Sequence, residues 1–256
     1  MSILELKDLT IRFGGLIAVN GVNVAVNEGQ IYSIIGPNGS GKTTIFNLIT
    51  GIYKPTSGEV IIANEKMSGY KPDFISKKGV SRTFQNIRLF KGLTVLENVL
   101  IGSHNHIKTG FFDIAFQTPT KRRLEREAVE RALYLLSIFD LEQYAKQRAA
   151  NLPYGPQRKL EIVRALASAP KILLLDEPAA GMNANETEDL MQLIRRVRDE
   201  FKVTIMLVEH DMGLVMQISE YISVLDHGVK IAEGTPSEVK QNHAVIEAYL
   251  GKDDDV

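Results

Sequence analysis

A glycine-rich stretch between two apolar runs is the first feature of the sequence that indicates chemistry. It reads Gly36-Pro37-Asn38-Gly39-Ser40-Gly41-Lys42-Thr43-Thr44. Residues 31–35 before it predict a buried strand, and residues 45–49 after it can continue as a helix. Strand, glycine turn and helix are the context of a phosphate-binding loop, whose backbone N–H groups and helix N-terminus face an anion. In such a loop Lys42 reaches the outer phosphates, and the Thr43 hydroxyl binds Mg²⁺.

Two carboxylates follow another apolar run. Residues 172–175 predict a buried strand, and Asp176 and Glu177 stand at its carboxyl end. Ligands of open parallel sheets bind at that end of the strands. Asp176 is therefore placed to hold Mg²⁺ indirectly, and Glu177 is placed to polarise a water.

For three further residues the local pattern does not decide between a structural and a functional role. Phe13, next to two glycines, is either a core or edge-strand aromatic or a platform on which a purine ring stacks. Gln85 ends a β-like stretch and by itself is an ordinary solvated glutamine. His210 follows the apolar run 203–208, where it is either a structural group or a functional one at a strand end. The residues alone leave these alternatives open.

The composition limits the class of protein. The chain has 256 residues, enough for one large domain or for one domain with a sub-domain, and its 44% hydrophobic and 24% charged residues are ordinary for a globular protein. The net charge of −1 gives no general attraction for nucleic acid. The absence of cysteine excludes a disulfide framework and a thiolate metal site, which fits a cytosolic chain. We expect neither a signal peptide nor a membrane span.

The order of elements predicts an α/β chain with a helical insertion. Strands are expected at residues 3–13 and 22–35, separated by turns at Gly14-Gly15 and 27–29, and a hairpin is expected at 221–232 around Asp226-His227-Gly228. Between about residues 94 and 169 the pattern becomes helical. It opens with a capping box at Thr94, passes through a mobile excursion at 104–120, and continues as an amphipathic helix over 121–139.

With these pieces in order, the chain resembles the ATP-binding subunit of an ABC transporter over essentially its whole length. Gly36–Thr43 matches that family's Walker A loop, and Ile172–Glu177 matches its Walker B strand with the adjoining catalytic glutamate. The resemblance implies that Gln85 touches Mg²⁺ and the transmembrane partner. It also implies that His210 senses the γ-phosphate and that Phe13 stacks on adenine.

The resemblance also implies a fold and a set of ligands. It implies an α/β fold, in which a P-loop ATPase core sheet has an N-terminal antiparallel β subdomain and an inserted α-helical subdomain. The single domain 1–256 would comprise a catalytic core, 1–93 and 165–256, and a helical signature subdomain, 94–164. ATP would lie on residues 36–44, and Mg²⁺ would be held by Thr43, Gln85 and, through water, Asp176.

Several segments are similar to the branched-chain amino acid uptake systems, namely Phe13–Asn20, Glu177–Asn183, Val208–Met212 and Ala248–Gly251. Urea and short-chain amide importers and the ATPase of lipopolysaccharide export resemble the chain closely as well. A soluble regulatory or nucleic-acid ABC ATPase is disfavoured by the single phosphate loop and the near-neutral charge. A nucleotide-binding module without turnover is disfavoured by the presence of Glu177 and His210.

The signature motif departs from the family pattern. Where the family usually has Leu-Ser-Gly-Gly-Gln, this chain has Leu152-Pro153-Tyr154-Gly155-Pro156. Pro153 lacks the serine hydroxyl, Pro156 has no N–H, and Asn183 takes the place of the D-loop aspartate. Since the motif acts on the partner's ATP in the family, the loss of these donors predicts a heterodimer with a second ABC ATPase that has an intact Ser-Gly-Gly arm. The further partners implied are permease subunits and, indirectly, a solute-binding protein, at the inner face of the cell membrane.

Overall fold

The computed structural model describes residues 1–103 and 119–250. The expected excursion at 104–120, apart from its last two residues, and the acidic C-terminal tail lie outside the described residues. The strands are β1 (Ser2–Phe13), β2 (Leu16–Asn27), β3 (Ile31–Ile35), β4 (Ser57–Ile62), β5 (Glu65–Lys66), β6 (Val80–Arg82), β7 (Ile172–Asp176), β8 (Thr204–Val208), β9 (Tyr221–Asp226) and β10 (Val229–Gly234). The helices are α1 (Lys42–Ile49), α2 (Pro72–Lys77), α3 (Val95–Gly102), α4 (Pro119–Ile138), α5 (Tyr154–Leu166), α6 (Ala184–Phe201), α7 (Met212–Ile218), α8 (Pro236–Lys240) and α9 (His243–Leu250).

The chain divides into two compact units. The first comprises Met1–Arg82 and Lys171–Val256, and the second comprises Thr83–Pro170. The second unit extends beyond the insertion expected at residues 94–164 at both ends. It includes Gln85 and the signature residues, whereas the phosphate loop and both strand-end carboxylates belong to the first unit.

A six-stranded sheet forms the centre of the first unit, in the order β10-β9-β3-β8-β7-β6. Its strands are parallel except for β10, which pairs with β9 in an antiparallel hairpin. Every residue of β3, β7 and β8 is buried, as expected for short apolar strands covered on both faces. The predicted hairpin turn is confirmed, with positive φ at His227 and Gly228.

The second sheet of this unit is antiparallel, in the order β2-β1-β4-β5. The expected start of its second strand at residue 22 is wrong, because β2 begins at Leu16, which pairs with Phe13 across the Gly14-Gly15 turn. Irregularities of register and a positive φ at Gly21 interrupt the alternation of apolar residues, but the pairing continues through them. Buried side chains from both sheets and from α1 form one core.

In the described residues of the second unit, the α-helices are α3, α4 and α5. The capping box is confirmed, since Thr94 caps α3 and exchanges hydrogen bonds with Glu97. α4 begins at Pro119, and it packs with α3 and α5. The amphipathic helix expected over residues 121–139 has an apolar side. Its buried residues are Ala132, Leu135, Leu136 and Phe139.

Candidate functional site

The phosphate loop connects β3 to α1 and needs glycine where it turns. Gly36, Gly39 and Gly41 have φ values of 150°, 81° and 102°, a region that side chains with a Cβ rarely adopt. A Cβ on Gly36 would stand 2.0 Å from the carbonyl oxygen of Leu225, and one on Gly41 would stand 2.6 Å from that of Ala18. Gly36 and Gly41 therefore serve both the turn and the close approach of neighbouring backbone, whereas Gly39 serves the turn alone.

The hairpin turn between β9 and β10 supports this loop from the side. The Gly228 N–H donates to the carbonyl of Ser40 at 3.0 Å, and the Gly228 carbonyl accepts from the Asn20 N–H at 2.8 Å. A Cβ on Gly228 would lie 2.7 Å from the Ala18 carbonyl oxygen. The phosphate loop is thus fixed by backbone contacts from two strands distant in sequence.

Lys42 occupies the interior of the loop. Its Nζ donates to the carbonyls of Gly36 at 2.7 Å and Pro37 at 2.8 Å, and the residue is only 6% exposed. Burial lowers the pKa of Lys42, while the charges of Glu177 and Asp176 oppose that shift. The Lys42 ammonium has already lost most of its contact with water. It can therefore exchange carbonyl partners for a phosphate with little further cost of desolvation.

Asp176 ends β7 and forms a buried ion pair that the sequence did not suggest. Its Oδ2 accepts from Nη2 of Arg82 at 2.6 Å, and both side chains are almost wholly buried. Arg82 also donates to Oδ1 of Asn47 at 2.6 Å and lies over the ring of Phe46. The pair fixes the Asp176 carboxylate beside the helix that follows the phosphate loop.

Glu177 and His210 meet at the ends of the neighbouring strands β7 and β8. The Glu177 N–H donates to the Val208 carbonyl at 2.8 Å, and the residue has a left-handed φ of 47°. Such a φ is uncommon for a residue other than glycine and is often found at functional sites. Oε2 of Glu177 lies 3.9 Å from Nδ1 of His210, whose side chain is 57% exposed. The two predicted catalytic side chains are therefore neighbours, with His210 open to solvent and Glu177 mostly buried.

Comparison with known proteins assigns this arrangement to a family. The family model "ABC transporter" matches residues 19–180, and the model "Branched-chain amino acid ATP-binding cassette transporter" matches residues 229–255. This chain belongs to the ABC transporter family. It is 52% identical to the high-affinity branched-chain amino acid transport ATP-binding protein BraF of Pseudomonas aeruginosa and 47% identical to LivG of Escherichia coli. Each alignment covers 98% of both chains.

Solved structures of the family have the same fold. The ADP conformation of MJ1267, an ATP-binding cassette of an ABC transporter, superposes with a TM-score of 0.85 at 32% identity. That match covers 98% of this cassette and 100% of the other chain. The α/β fold with a P-loop core, an antiparallel β subdomain and helices is therefore confirmed.

Phe13 lies at the end of β1 in the same unit as the Walker A loop. Its ring is 44% exposed and packs edge to face with Tyr53, with ring centroids 5.2 Å apart. This exposure contradicts the interpretation of Phe13 as a core aromatic. An exposed ring held by a second aromatic fits a stacking platform for a purine.

Gln85 and the signature residues lie together in the second unit. The Gln85 carbonyl accepts from the guanidinium of Arg158 on α5, the helix that the signature begins. Pro153 occupies the N-cap of α5 and provides no side-chain cap. Pro156 is the third residue of α5, within the first turn, where an N–H has no partner in the helix. The helix therefore tolerates both prolines, at the loss of a hydroxyl and an N–H at its N-terminus.

Asn183 has a local structural use. Its side chain accepts from the Glu186 N–H at 3.0 Å, and Glu186 accepts from the Asn183 N–H at 3.0 Å. This capping box starts α6, so the substitution at the D-loop position retains a good N-cap.

Glu209 is a site residue that the sequence analysis missed. It is 1% exposed, and its carboxylate accepts from the N–H groups of Ala179 at 3.0 Å and His210 at 3.2 Å. Burial raises the pKa of Glu209, and the two N–H groups reduce that rise. The carboxylate thus connects the segment after Glu177 to the backbone of His210. The sequence feature that could have identified Glu209 is its position directly after the buried strand β8.

Proposed function

We propose that this cassette is the ATP-hydrolysing subunit that powers import of branched-chain amino acids through a membrane permease. The observation that carries the proposal is the 52% identity to BraF, a protein named for high-affinity branched-chain amino acid transport, over 98% of both chains. The match of residues 229–255 to the branched-chain amino acid cassette model supports the same substrate class.

The geometry supports the roles that we assign to the residues of the first unit. Lys42 and the loop N–H groups hold the phosphates, with residues 36–44 as the nucleotide-binding loop. Glu177 orients or deprotonates the attacking water, and His210 contacts the transferring phosphate. Catalysis of this kind consists of positioning and charge stabilisation. The 3.9 Å separation of Glu177 and His210 suits two groups that act on one phosphate and one water.

The donor atoms fit Mg²⁺. Thr43 and Asp176 offer hard oxygen ligands, and Gln85, in the second unit, stays a predicted third ligand. Among residues 1–103 and 119–250, no group of three or more histidine, cysteine or carboxylate side chains is arranged to hold a metal. Mg²⁺ typically binds through one or two protein groups, water and substrate phosphates, so such a cage is not needed. When bound, the ion would neutralise charge on the phosphates.

The proposed location is the inner face of the cell membrane, where the cassette would contact the permease and, indirectly, a solute-binding protein. In the part of the chain that the structure describes, no helix has both the length and the apolar character to span a bilayer. The net charge of −1 gives no reason to add nucleic acid to the partners.

We also propose that the working unit is a heterodimer with a second ABC ATPase. The signature arm has lost a hydroxyl at Pro153 and an N–H at Pro156, and each lost bond to a charged group is worth roughly 1.5–3 kcal/mol. A partner with an intact Ser-Gly-Gly arm would complete the site built on Lys42 and Glu177. The other site, completed by this chain's arm, would be the weaker one.

This asymmetry predicts that nucleotide is trapped mainly in one site of the assembled transporter. Inactivating the two catalytic glutamates one at a time should reduce transport much more for Glu177→Gln than for the equivalent change in the partner. Because strict cooperation between sites could equalise the losses, the occupancy of each site after trapping is measured as well. Equal trapping in both sites, or full transport by a homodimer of this chain, would contradict the heterodimer.

The function itself is tested by reconstitution. The cassette is assembled with the permease and the second ATPase of the proposed transporter, in vesicles that contain the binding protein. We expect ATP hydrolysis to rise when leucine, isoleucine or valine is added, together with uptake of the labelled amino acid. Stimulation by urea or a short-chain amide alone, or activity that depends on lipopolysaccharide, would refute the substrate assignment. Full turnover by the purified chain, unchanged on reconstitution, would refute the transporter assignment.

A further inference from the structure

A buried arginine on α5, which we call the signature helix, holds the backbone around Gln85. Arg158 is 0% exposed and lies in the second turn of α5. Its Nη1 donates to the carbonyl of Phe84 at 2.7 Å, and its Nη2 donates to the carbonyl of Gln85 at 2.8 Å. One planar guanidinium thus binds two consecutive peptide groups that are more than seventy residues away in sequence.

A glutamate one turn later completes the arrangement. Glu161 is 1% exposed, and its Oε2 accepts from Nη1 of Arg158 at 3.0 Å. Its Oε1 accepts from the N–H of Arg88 at 3.2 Å. The carboxylate therefore balances the buried guanidinium and also binds the segment that follows Gln85.

A third residue on the same helix face extends the contact. Arg164 donates to the Arg88 carbonyl at 2.5 Å and lies over the ring of Phe90. Arg158, Glu161 and Arg164 are spaced three residues apart, which places them along one face of a helix. All three contact residues 84–90, which we call the Q-loop segment.

Stability alone does not require charged groups here. Two opposite charges removed from water are often no more stabilising than apolar side chains of similar volume. The pair instead fixes the orientation of the backbone. The guanidinium holds the carbonyls of residues 84 and 85, and the carboxylate holds the Arg88 N–H. The charges are therefore better explained by the position that they impose on the Q-loop segment.

We propose that Arg158 and Glu161 are positioning residues that make the Q-loop segment and the signature helix move as one body. The Gln85 backbone cannot shift relative to α5 without breaking buried hydrogen bonds. A displacement of Gln85 therefore displaces the N-terminus of α5, and a displacement of that N-terminus displaces Gln85. The inference rests on the proposed ATPase function, since it assigns the pair a role in turnover. It concerns contacts within the second unit only.

The test combines a variant of the pair with a matched control. Arg158→Met with Glu161→Leu removes both charges and keeps the approximate volumes, so the fold should persist. Ile162→Val reduces packing on the same helix and leaves the polar contacts in place. Arg158→Lys keeps the charge but not the fork, because an ammonium is a compact donor without the planar geometry. It provides a second variant that does not depend on the double replacement.

Kinetics in the assembled transporter give the first readout. We expect kcat for ATP to fall about 10- to 100-fold in the double variant, since small displacements of positioning groups have effects of that size. The KM for ATP should stay within about threefold, because the phosphate loop is untouched. Arg158→Lys should be intermediate, and Ile162→Val should match the wild type. A wild-type kcat in both pair variants, or an equal loss in Ile162→Val, would overturn the proposal.

A spectroscopic readout on the isolated full chain is independent of turnover. The sequence has no cysteine, so Asn86→Cys and Lys159→Cys can be spin-labelled without further changes. Electron paramagnetic resonance should give a narrow label–label distance distribution in the parent and a broad one in the double variant. An equally narrow distribution in both would overturn the coupling, whereas wild-type protein that hydrolyses no ATP in the transporter would overturn the proposed function instead.

Discussion

The buried ion pair between Arg82 and Asp176 gives the sharpest prediction about how the Walker B strand is held. The side chains of these residues are 5% and 2% exposed, and their contact is 2.6 Å. Arg82→Met removes the guanidinium and leaves a buried carboxylate without its balancing charge. Breaking one partner of a buried pair typically costs about 3–5 kcal/mol. At about 2–4 °C per kcal/mol for a chain of this size, the melting temperature should fall by about 6–20 °C.

The assay is thermal and urea unfolding of the purified chain without nucleotide. Arg82→Met with Asp176→Asn removes both charges and should recover most of the loss, because paired removal is often close to neutral. Lys66→Met, which breaks an exposed pair with Glu59, is the matched control and should cost no more than about 1 kcal/mol. The reasoning is refuted if Arg82→Met is as stable as the control, or if the double variant is no more stable than the single one.

Three further predictions concern the site. Glu177→Gln should abolish ATP turnover in the assembled transporter while affinity for MgATP stays within about tenfold, or about 1.4 kcal/mol; turnover near the wild-type rate would contradict the assignment. Burial raises the pKa of Glu209 above its ordinary value of 4.5, so its ionisation destabilises the fold as pH rises through that window. Glu209→Gln cannot ionise, and its melting temperature relative to wild type should therefore increase from pH 4.5 upward and then level off; a difference independent of pH would contradict this. Gly228→Ala should lower both stability and ATP affinity through the 2.7 Å contact with Ala18, whereas Gly29→Ala, with a similar φ but open space, should show only the backbone cost of about 1–2 kcal/mol. Equal losses in these two glycine variants would exclude the contact as the cause.

Features that depend on neighbouring residues were predictable from the sequence. The phosphate loop was visible because strand, glycines and helix are adjacent in the chain, and the capping box at Thr94 needs only four residues. The hairpin at His227-Gly228 is likewise a local signal. The buried strand that ends at Asp176 and the one followed by Glu209 were predictable as apolar runs with polar residues at their ends.

Features that depend on distant partners were not predictable. Arg82 and Asp176 are 94 residues apart, and Glu209 and Ala179 are 30 apart. Nothing in the local pattern of Arg158 identifies its acceptors at residues 84 and 85. The start of β2 precedes the expected residue 22 because its pairing with β1 continues through irregularities that the alternation of residues does not reveal.

These distant contacts have a common form. In each contact, a charged side chain that is almost wholly buried binds a group at or beside a residue assigned to ATP chemistry. These assigned residues are Asp176, His210 and Gln85. Arg82 binds Asp176, Glu209 binds the N–H groups of Ala179 and His210, and Arg158 binds the Gln85 carbonyl. Burying a charge costs free energy that apolar packing would not, so the position it imposes is the benefit to expect. It follows that replacing both Arg158 and Glu161 by apolar groups should separate the two roles, preserving the fold while reducing kcat.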